Sequence, residues 1–304
     1  MLSIVIPAYF EEKNINYLYR EIIDALSPSK TDFEIIFVDD GSSDGTFQQV
    51  NMLSEKDDRV MGIKLSRNFG HQIAILAGLV EAKGNRIVMM DADGQHPPSM
   101  ILPMLKKLDE GYDIVNTVRE DTEDAGFFKK RTSKLFYRIF NMLSDVKIER
   151  DSSDFRAMTR DALEAFLSID EQNRFTRGLV SWMGFKQISL PYSAPPRHEG
   201  KSKYSVRRMV RFAFDGLTAF SSKPLRISTY LGLIVLLLGI AYAIYAVVIY
   251  LLGKSNPGWT SLLITILILG GTQLLILGII GEYLARIFTE SKKRPHYFII
   301  KRTP

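Results

Sequence analysis

From Ile227 to Leu252, and again from Leu262 to about Ile280, the chain is almost wholly apolar and carries no charged side chain. Each run meets the roughly 20 residues that a bilayer-spanning helix requires, so the pattern predicts two membrane helices, at about 227–252 and 261–286. Soluble cores rarely contain such long charge-free stretches. The link between them, Gly-Lys-Ser-Asn-Pro-Gly-Trp-Thr from Gly253 to Thr260, is a short polar turn, which makes the pair a hairpin. Lys223 and Arg226 precede it, and Arg286, Lys292, Lys293, Arg294, Lys301 and Arg302 follow it. By the positive-inside rule, both termini and everything before the hairpin face the cytoplasm. Residues 289–304 are read as a basic cytoplasmic tail.

The first 200 residues follow a different pattern. Leu2–Pro7, Glu34–Val38, Arg59–Leu65 and Arg86–Met90 are β runs, and between them Glu12–Leu26, Asp44–Ser54 and Gln72–Ala82 have helical signals. This alternation argues an α/β class with a mostly parallel sheet and helices on both faces. The boundaries read as a domain over 1–204, a juxtamembrane segment over 205–226 and the hairpin over 227–288. In the juxtamembrane segment Arg207, Arg208, Arg211, Phe212 and Phe214 interleave charge with apolar rings, as expected of a helix lying on anionic lipid. The net charge of +5 is compatible with nucleic acid, anionic lipid or phosphorylated substrates. No nucleic-acid recognition motif accompanies the basic residues, so lipid and phosphates are the expected partners. Cysteine is absent, which excludes disulfides, thiolate metal sites and a Cys nucleophile. The N-terminus has no basic n-region or cleavage site and runs directly into strand-like sequence, so no signal peptide is expected.

Polar motifs lie where the strands end. Ile87–Met90 runs into Asp91-Ala92-Asp93-Gly94-Gln95. Two carboxylates one residue apart, with the amide of Gln95 behind them, suit a hard divalent cation that carries phosphates, Mg2+ or Mn2+. Asp-x-Asp also occurs in ordinary solvated turns, but ligands of open α/β sheets bind at the carboxyl edge, where this pair sits. Asp39 and Asp40, at the end of the second β run, are placed to accept from a base N–H or a ribose hydroxyl; Asp44 and Thr46 suit a helix cap. No Walker loop and no Gly-x-Gly-x-x-Gly is present, against kinase-like and dinucleotide sites. His71, His96 and His198 lack the spacing of a helical His pair and are read as support or acceptor-side groups.

Taken together, Pro7-Ala8-Tyr9-Phe10-Glu11-Glu12, Val38-Asp39-Asp40-Gly41-Ser42-Ser43-Asp44-Gly45-Thr46, Ser66-Arg67-Asn68-Phe69-Gly70-His71, Asp91 to Pro98, Ser153-Asp154-Phe155-Arg156 and His198-x-Gly-x-Ser202-Lys203-Tyr204 resemble the polyprenyl-phosphate glycosyltransferases. The resemblance covers residues 1 to about 210, and the hairpin fits the bacterial branch. It implies an inverting GT-A (Rossmann-like) catalytic domain that moves one sugar from a UDP-sugar, glucose or N-acetylglucosamine, to undecaprenyl phosphate. GDP-mannose is the alternative donor, and a non-catalytic nucleotide-sugar sensor at the membrane the alternative function.

By the same resemblance Pro7, Tyr9, Glu11, Asp39, Asp40, Asn68, Asp91 and Ala92 bind the nucleotide sugar, and Asp91, Asp93 and Gln95 hold the metal. Arg119, Arg131, His198, Ser202 and Lys203 grip the acceptor phosphate. Asp154, Asp93 and Arg119 are implied as catalytic, with Asp154 either a base or a group that orients the acceptor. Phe10 departs from the family, which usually has Asn there. A phosphate monoester is largely dianionic at neutral pH, so no strong base is obligatory. Gly270-Gly271 and Gly278-x-x-Gly281 hint at close helix packing, compatible with a homo-oligomer such as a tetramer.

Overall fold

The computed structural model describes residues 1–29, 31–119, 152–172, 174–195, 221, 223–253 and 258–303. At its centre is β1 (Leu2–Ala8), all seven of whose residues are buried. A strand that is apolar on both faces has no wet side and needs a covering layer above and below. β1 pairs in parallel with β2 (Phe33–Asp39) and, on its other side, with β4 (Arg86–Met89). β3 (Val60–Leu65) continues the parallel set beyond β2. On the far side of β4 lie β6 (Ser152–Thr159), antiparallel to it, and then β5 (Ile114–Arg119) and β7 (Gln187–Tyr192), parallel to each other. With β8 (Ile299–Arg302) the order is β7-β5-β6-β4-β1-β2-β3-β8.

Two hydrophobic clusters fill the two faces. Ile4 and Ile6 of β1 pack with α1 (Glu12–Leu26), α2 (Thr46–Ser54) and α4 (Ile101–Asp109) through Ile15, Leu18, Val50 and Met104. Val5 faces the other way, toward α3 (His71–Glu81), α5 (Arg160–Leu167) and α6 (Thr176–Trp182), with Ile75, Leu163 and Leu179. The two-residue alternation of β1 thus divides its side chains between the layers. The mostly parallel α/β sheet expected from the sequence is the sheet observed, with β6 and β8 antiparallel to their neighbours.

The two apolar runs form α7 (Lys223–Leu251) and α8 (Trp259–Ser291). At 1.5 Å per residue these are about 44 and 50 Å long, more than the roughly 30 Å of a hydrocarbon core. The most apolar 18-residue window within each candidate span, Leu225–Leu251 and Ile264–Ser291, has no buried residue, as side chains facing lipid would have none. Nothing described lies within 4 Å of a Cβ built on Gly270, Gly271, Gly278 or Gly281, so these glycines do not pack the two helices of one chain together.

α8 outruns the expected helix end, and the expected basic tail holds a strand. β8 runs antiparallel to β3. The Thr303 N–H donates to Gly62 O at 2.9 Å, Gly62 N–H donates to Thr303 Oγ1 at 2.8 Å, and Ser66 N–H donates to Phe298 O at 2.9 Å. Tyr297-Phe298-Ile299-Ile300 has strand propensity, but only the open edge of β3 gives it a partner, and that edge is a tertiary feature.

α3 lies close on the sheet because Gly78 has no side chain. A Cβ there would stand 2.4 Å from Val5 Cγ1 and 3.0 Å from Val38 Cγ2, both on stiff β-branched core residues. Ala is the better helix former by about 1 kcal/mol, yet overpacking typically costs about 1–3 kcal/mol. Gly78→Ala is therefore expected to lower the thermal midpoint of the purified protein; a midpoint at or above wild type would show that α3 moves off the sheet without cost.

Candidate functional site

Because β1 to β5 and β7 run in one direction and β6 in the other, the carboxyl ends of the parallel strands and the start of β6 meet at one edge. The loops after β1 and β2 are laced together there. Phe10 N–H donates to Ser42 Oγ at 3.0 Å, Glu11 N–H to Thr46 Oγ1 at 3.0 Å, and Gly45 N–H to Glu12 Oε2 at 3.0 Å. Asn14 Nδ2 donates to Glu11 Oε2 at 2.5 Å. Phe10 itself sits at φ 57, in the left-handed region.

Asp39 and Asp40 divide their work. Asp39 Oδ1 accepts from Ser42 N–H at 2.8 Å, while Oδ2, buried, accepts no hydrogen bond and lies 3.4 Å from Lys64 Nζ. Asp40 accepts from the N–H groups of Phe69 at 2.7 Å and Gly70 at 2.9 Å. Burial pushes the Asp40 carboxyl up, those two N–H groups pull against it, and the neighbouring Asp39 charge adds to the rise. Asp40 thereby holds the loop 66–71 against the sheet. Gly41 allows the approach: at φ 72, a Cβ on it would meet the backbone of Arg67 at 2.4 Å.

The loop after β4 is tied to β6 through a histidine. Asp91 N–H donates to His96 Nδ1 at 2.8 Å, so the neutral ring carries its proton on Nε2, which is 2.8 Å from Ser153 Oγ. The buried ring stacks on Phe155, with centroids 4.9 Å apart. Gln95 N–H donates to Asp93 Oδ1 at 3.1 Å. Asp91 Oδ1 is buried, accepts no hydrogen bond and lies 3.3 Å from His71 Nε2. The same nitrogen is 3.7 Å from Asp154 Oδ2.

Asp154, 7% exposed, is met from three elements. Arg177 of α6 forks onto it, Nε to Oδ1 and Nη2 to Oδ2, each at 3.1 Å. Gln72 of α3 donates to Oδ2 at 3.3 Å and accepts the Thr176 N–H at 3.3 Å. Arg156, 1% exposed, donates to Ser153 O at 3.1 Å and places Nη2 3.5 Å from Asp154 Oδ1. Burial alone would raise the Asp154 pKa; Arg177, His71 and Arg156 outweigh it and hold the carboxyl well below the ordinary range.

The glycosyl transferase family 2 model matches residues 3–167, and the model of the GtrB C-terminal hairpin matches 223–287. The chain belongs to glycosyl transferase family 2. This glycosyltransferase is 42% identical to the Bacillus subtilis (strain 168) "Uncharacterized glycosyltransferase YkcC", over 98% of this chain and 93% of the relative. It is 37% identical to the Escherichia coli (strain K12) "Prophage bactoprenol glucosyl transferase homolog", over 99% and 98%. With the "Bactoprenol glucosyl transferase" of Shigella phage SfV the identity is 36%, over 98% and 97%. Among solved structures it has a distant likeness to mannosyl-3-phosphoglycerate synthase from Rubrobacter xylanophilus, with TM-score 0.47 and 18% identity over 71% of each chain.

On the glycosyltransferase sheet, Pro7 is buried in β1, Ala92 is buried in the Asp91 loop, and Tyr9 and Glu11 are half-buried after β1. Asn68 is exposed on the loop 66–71. Arg119 ends β5, exposed and paired in register with Tyr192 of β7. Arg131, His198, Ser202 and Lys203 lie outside the described residues. Arg177 and Gln72 are the site residues that sequence reasoning missed, since neither has a local signal linking it to Asp154. Among the described residues no three His, Asp or Glu side chains form a ready metal cage. A cation held by one or two carboxylates and by substrate phosphates needs none. Asp91 Oδ1, which is buried and accepts no hydrogen bond, on the loop that also carries Asp93 and Gln95, fits such a cation.

Phe10 marks a local conflict. Left-handed backbone costs an ordinary L-residue about 1–2 kcal/mol and costs Asn less, while Phe10, 44% exposed, keeps an edge contact with Tyr9 at 4.5 Å. Phe10→Asn is expected to stabilise the glycosyltransferase by about 0.5 kcal/mol, read as a rise in thermal midpoint; a fall would mean that the aromatic contact outweighs the backbone strain.

Proposed function

We propose that this glycosyltransferase moves one sugar from a UDP-sugar, glucose or N-acetylglucosamine, to undecaprenyl phosphate at the cytoplasmic face of the membrane, with inversion. The observation that carries the reading is that His71 Nε2 lies 3.3 Å from Asp91 and 3.7 Å from the anchored Asp154, at the sheet edge whose loop also carries Asp93, in a domain joined to a two-helix membrane hairpin. The names of relatives aligned over nearly the whole chain support the acceptor class. The positive residues that flank the hairpin support the orientation.

In the proposed reaction an oxygen of the lipid phosphate forms a bond to the anomeric carbon while the bond from that carbon to the UDP oxygen breaks from the opposite face. A dianionic acceptor requires no net proton removal. Mg2+ or Mn2+, held by Asp91, Asp93 and Gln95, would neutralise charge on the departing diphosphate. Asp39, whose Oδ2 accepts no hydrogen bond within the protein, would accept from the nucleoside. Asp40 keeps the loop 66–71, and with it Asn68 and His71, at the edge. Arg119, with Arg131, His198, Ser202 and Lys203, would grip the acceptor phosphate.

Asp154 acts here as a fixed negative charge that orients the basic groups around the acceptor. Both of its oxygens are engaged by Arg177, and a carboxylate held so far below its usual pKa is a weak proton acceptor. A depressed native pKa means that the stabilising charge network is complete above the ordinary carboxylate range and is lost only as pH falls through it. Between pH 5 and 8 the transfer rate is then expected to show one rising limb near pH 6, that of the lipid phosphate. A second limb that vanished in Asp154→Asn would restore the role of base.

The direct test is transfer by membrane-reconstituted protein with undecaprenyl phosphate, Mg2+ or Mn2+, and a panel of radiolabelled UDP- and GDP-sugars. Label is expected in the lipid phase with a UDP-sugar, and to be lost with EDTA or in Asp93→Ala. Label from GDP-mannose alone would reassign the donor. Binding of a nucleotide sugar without any lipid label would leave a sensor in place of an enzyme.

A further inference from the structure

We propose that Glu290, on the last turn of the second membrane helix, is a positioning residue for the transfer site: it anchors the segment that presents Arg177 to Asp154. The inference rests on the proposed reaction for its kinetic consequence, while the anchor itself is a matter of geometry. Both carboxylate oxygens of Glu290 accept the Gln172 N–H, each at 3.0 Å. Gln172 stands five residues before Arg177, between α5 and α6, and belongs to neither a helix nor a strand. Irregular backbone takes its position from the side chains that satisfy its polar groups.

Other contacts also hold this stretch, with Ile169 packed on the core and Phe175 and Thr176 buried. Buried Arg174 donates to Ile169 O and lies 5.1 Å from the Phe166 ring centroid. His296 Nε2 approaches Asp170 Oδ1 at 3.6 Å. From there α6 opens at Thr176, whose N–H reaches Gln72, and the next residue is Arg177. Arg177 and Gln72 then close on the same carboxylate.

The other end of the anchor is fixed as well. Immediately after α8 the chain enters the body of the domain, where Tyr297 and Ile299 pack against the core cluster that includes Leu163 and Leu179. β8 then pairs with β3, and Arg302 Nη2 bonds Glu81 Oε1 at 2.6 Å. Glu290 is thus held between a lipid-embedded helix and a strand of the catalytic sheet. Through its bond to Gln172, the hairpin and the Asp154 site form one mechanical unit.

Misplacing a catalytic constellation by about 1 Å costs up to ~10²-fold in rate. In full-length protein in nanodiscs, Glu290→Ala is expected to lower kcat for sugar transfer by about 10-fold with the KM for the nucleotide sugar unchanged within about twofold. Glu290→Gln, which keeps one oxygen to accept the Gln172 N–H, is expected to recover most of the loss. In a double-mutant cycle the Glu290→Ala effect is expected to disappear in an Arg177→Ala background, as for residues acting through one another.

Hydrogen exchange reads the anchor without any sugar transfer. In Glu290→Ala the amides of Gln172 and of residues 176–182 are expected to exchange about 10-fold faster, and those of β1 and β2 to stay at wild-type rates. Unchanged exchange in that segment, wild-type kcat, or independent losses in the cycle would each overturn the proposal. If Glu290→Ala does not fold, Glu290→Asp carries the same two readouts with the charge kept. If the wild type transfers no sugar, the proposed function fails, and exchange alone still decides whether the anchor exists.

Discussion

A carboxylate taken out of water must have its charge answered at hydrogen-bond distance, or it takes up a proton. Asp154 is the place where this glycosyltransferase meets that demand, and much of the site's architecture follows from how it does so. The guanidinium of Arg177 comes from α6, the amide of Gln72 from α3, the ring of His71 from the start of α3, and Arg156 from the same strand. Each of those elements is placed by the core beneath the sheet. The charge is therefore fixed by packing, and its partners have little to reorganise when a second anion arrives.

The end of β4, next to the start of β6, is arranged differently. Asp91 and Asp93 sit at the end of β4 on a loop tied to β6 by His96, and Asp91 keeps a buried oxygen without a hydrogen bond. A buried carboxylate oxygen without a hydrogen bond is costly, and a bound cation would answer it. The two carboxylates thus differ: Asp154 is satisfied within the protein, and Asp91 Oδ1 accepts no hydrogen bond. His71 stands between them, 3.3 Å from Asp91 and 3.7 Å from Asp154.

What the sequence made legible was local. The strands of the parallel set, the two apolar helices and the Asp-x-Asp at the end of β4 are each encoded within a dozen neighbouring residues, by period, length or motif. Asp40 was legible as a polar residue at a strand end, but its commitment to the amides of Phe69 and Gly70 depends on where the next loop falls. Arg177 reads in sequence as one more basic residue near Arg174, because only the packing of α6 against β6 brings it to Asp154. The return of the chain after α8 was hidden for a similar reason. Lys292, Lys293 and Arg294 have the composition of a tail, and the strand that follows exists because β3 offers an unpaired edge some 230 residues earlier.

The central claim is that the anchored Asp154 serves the acceptor and not the donor. The most direct measurement is single-turnover transfer by Asp154→Asn in nanodiscs, with the affinity for the UDP-sugar measured on the same preparation. The account predicts donor affinity within about twofold of wild type and a transfer rate lower by at least ~10²-fold, since the Arg177 fork loses its carboxylate and the acceptor groups lose their reference charge. Transfer at the wild-type rate, or a loss confined to donor affinity, would contradict it.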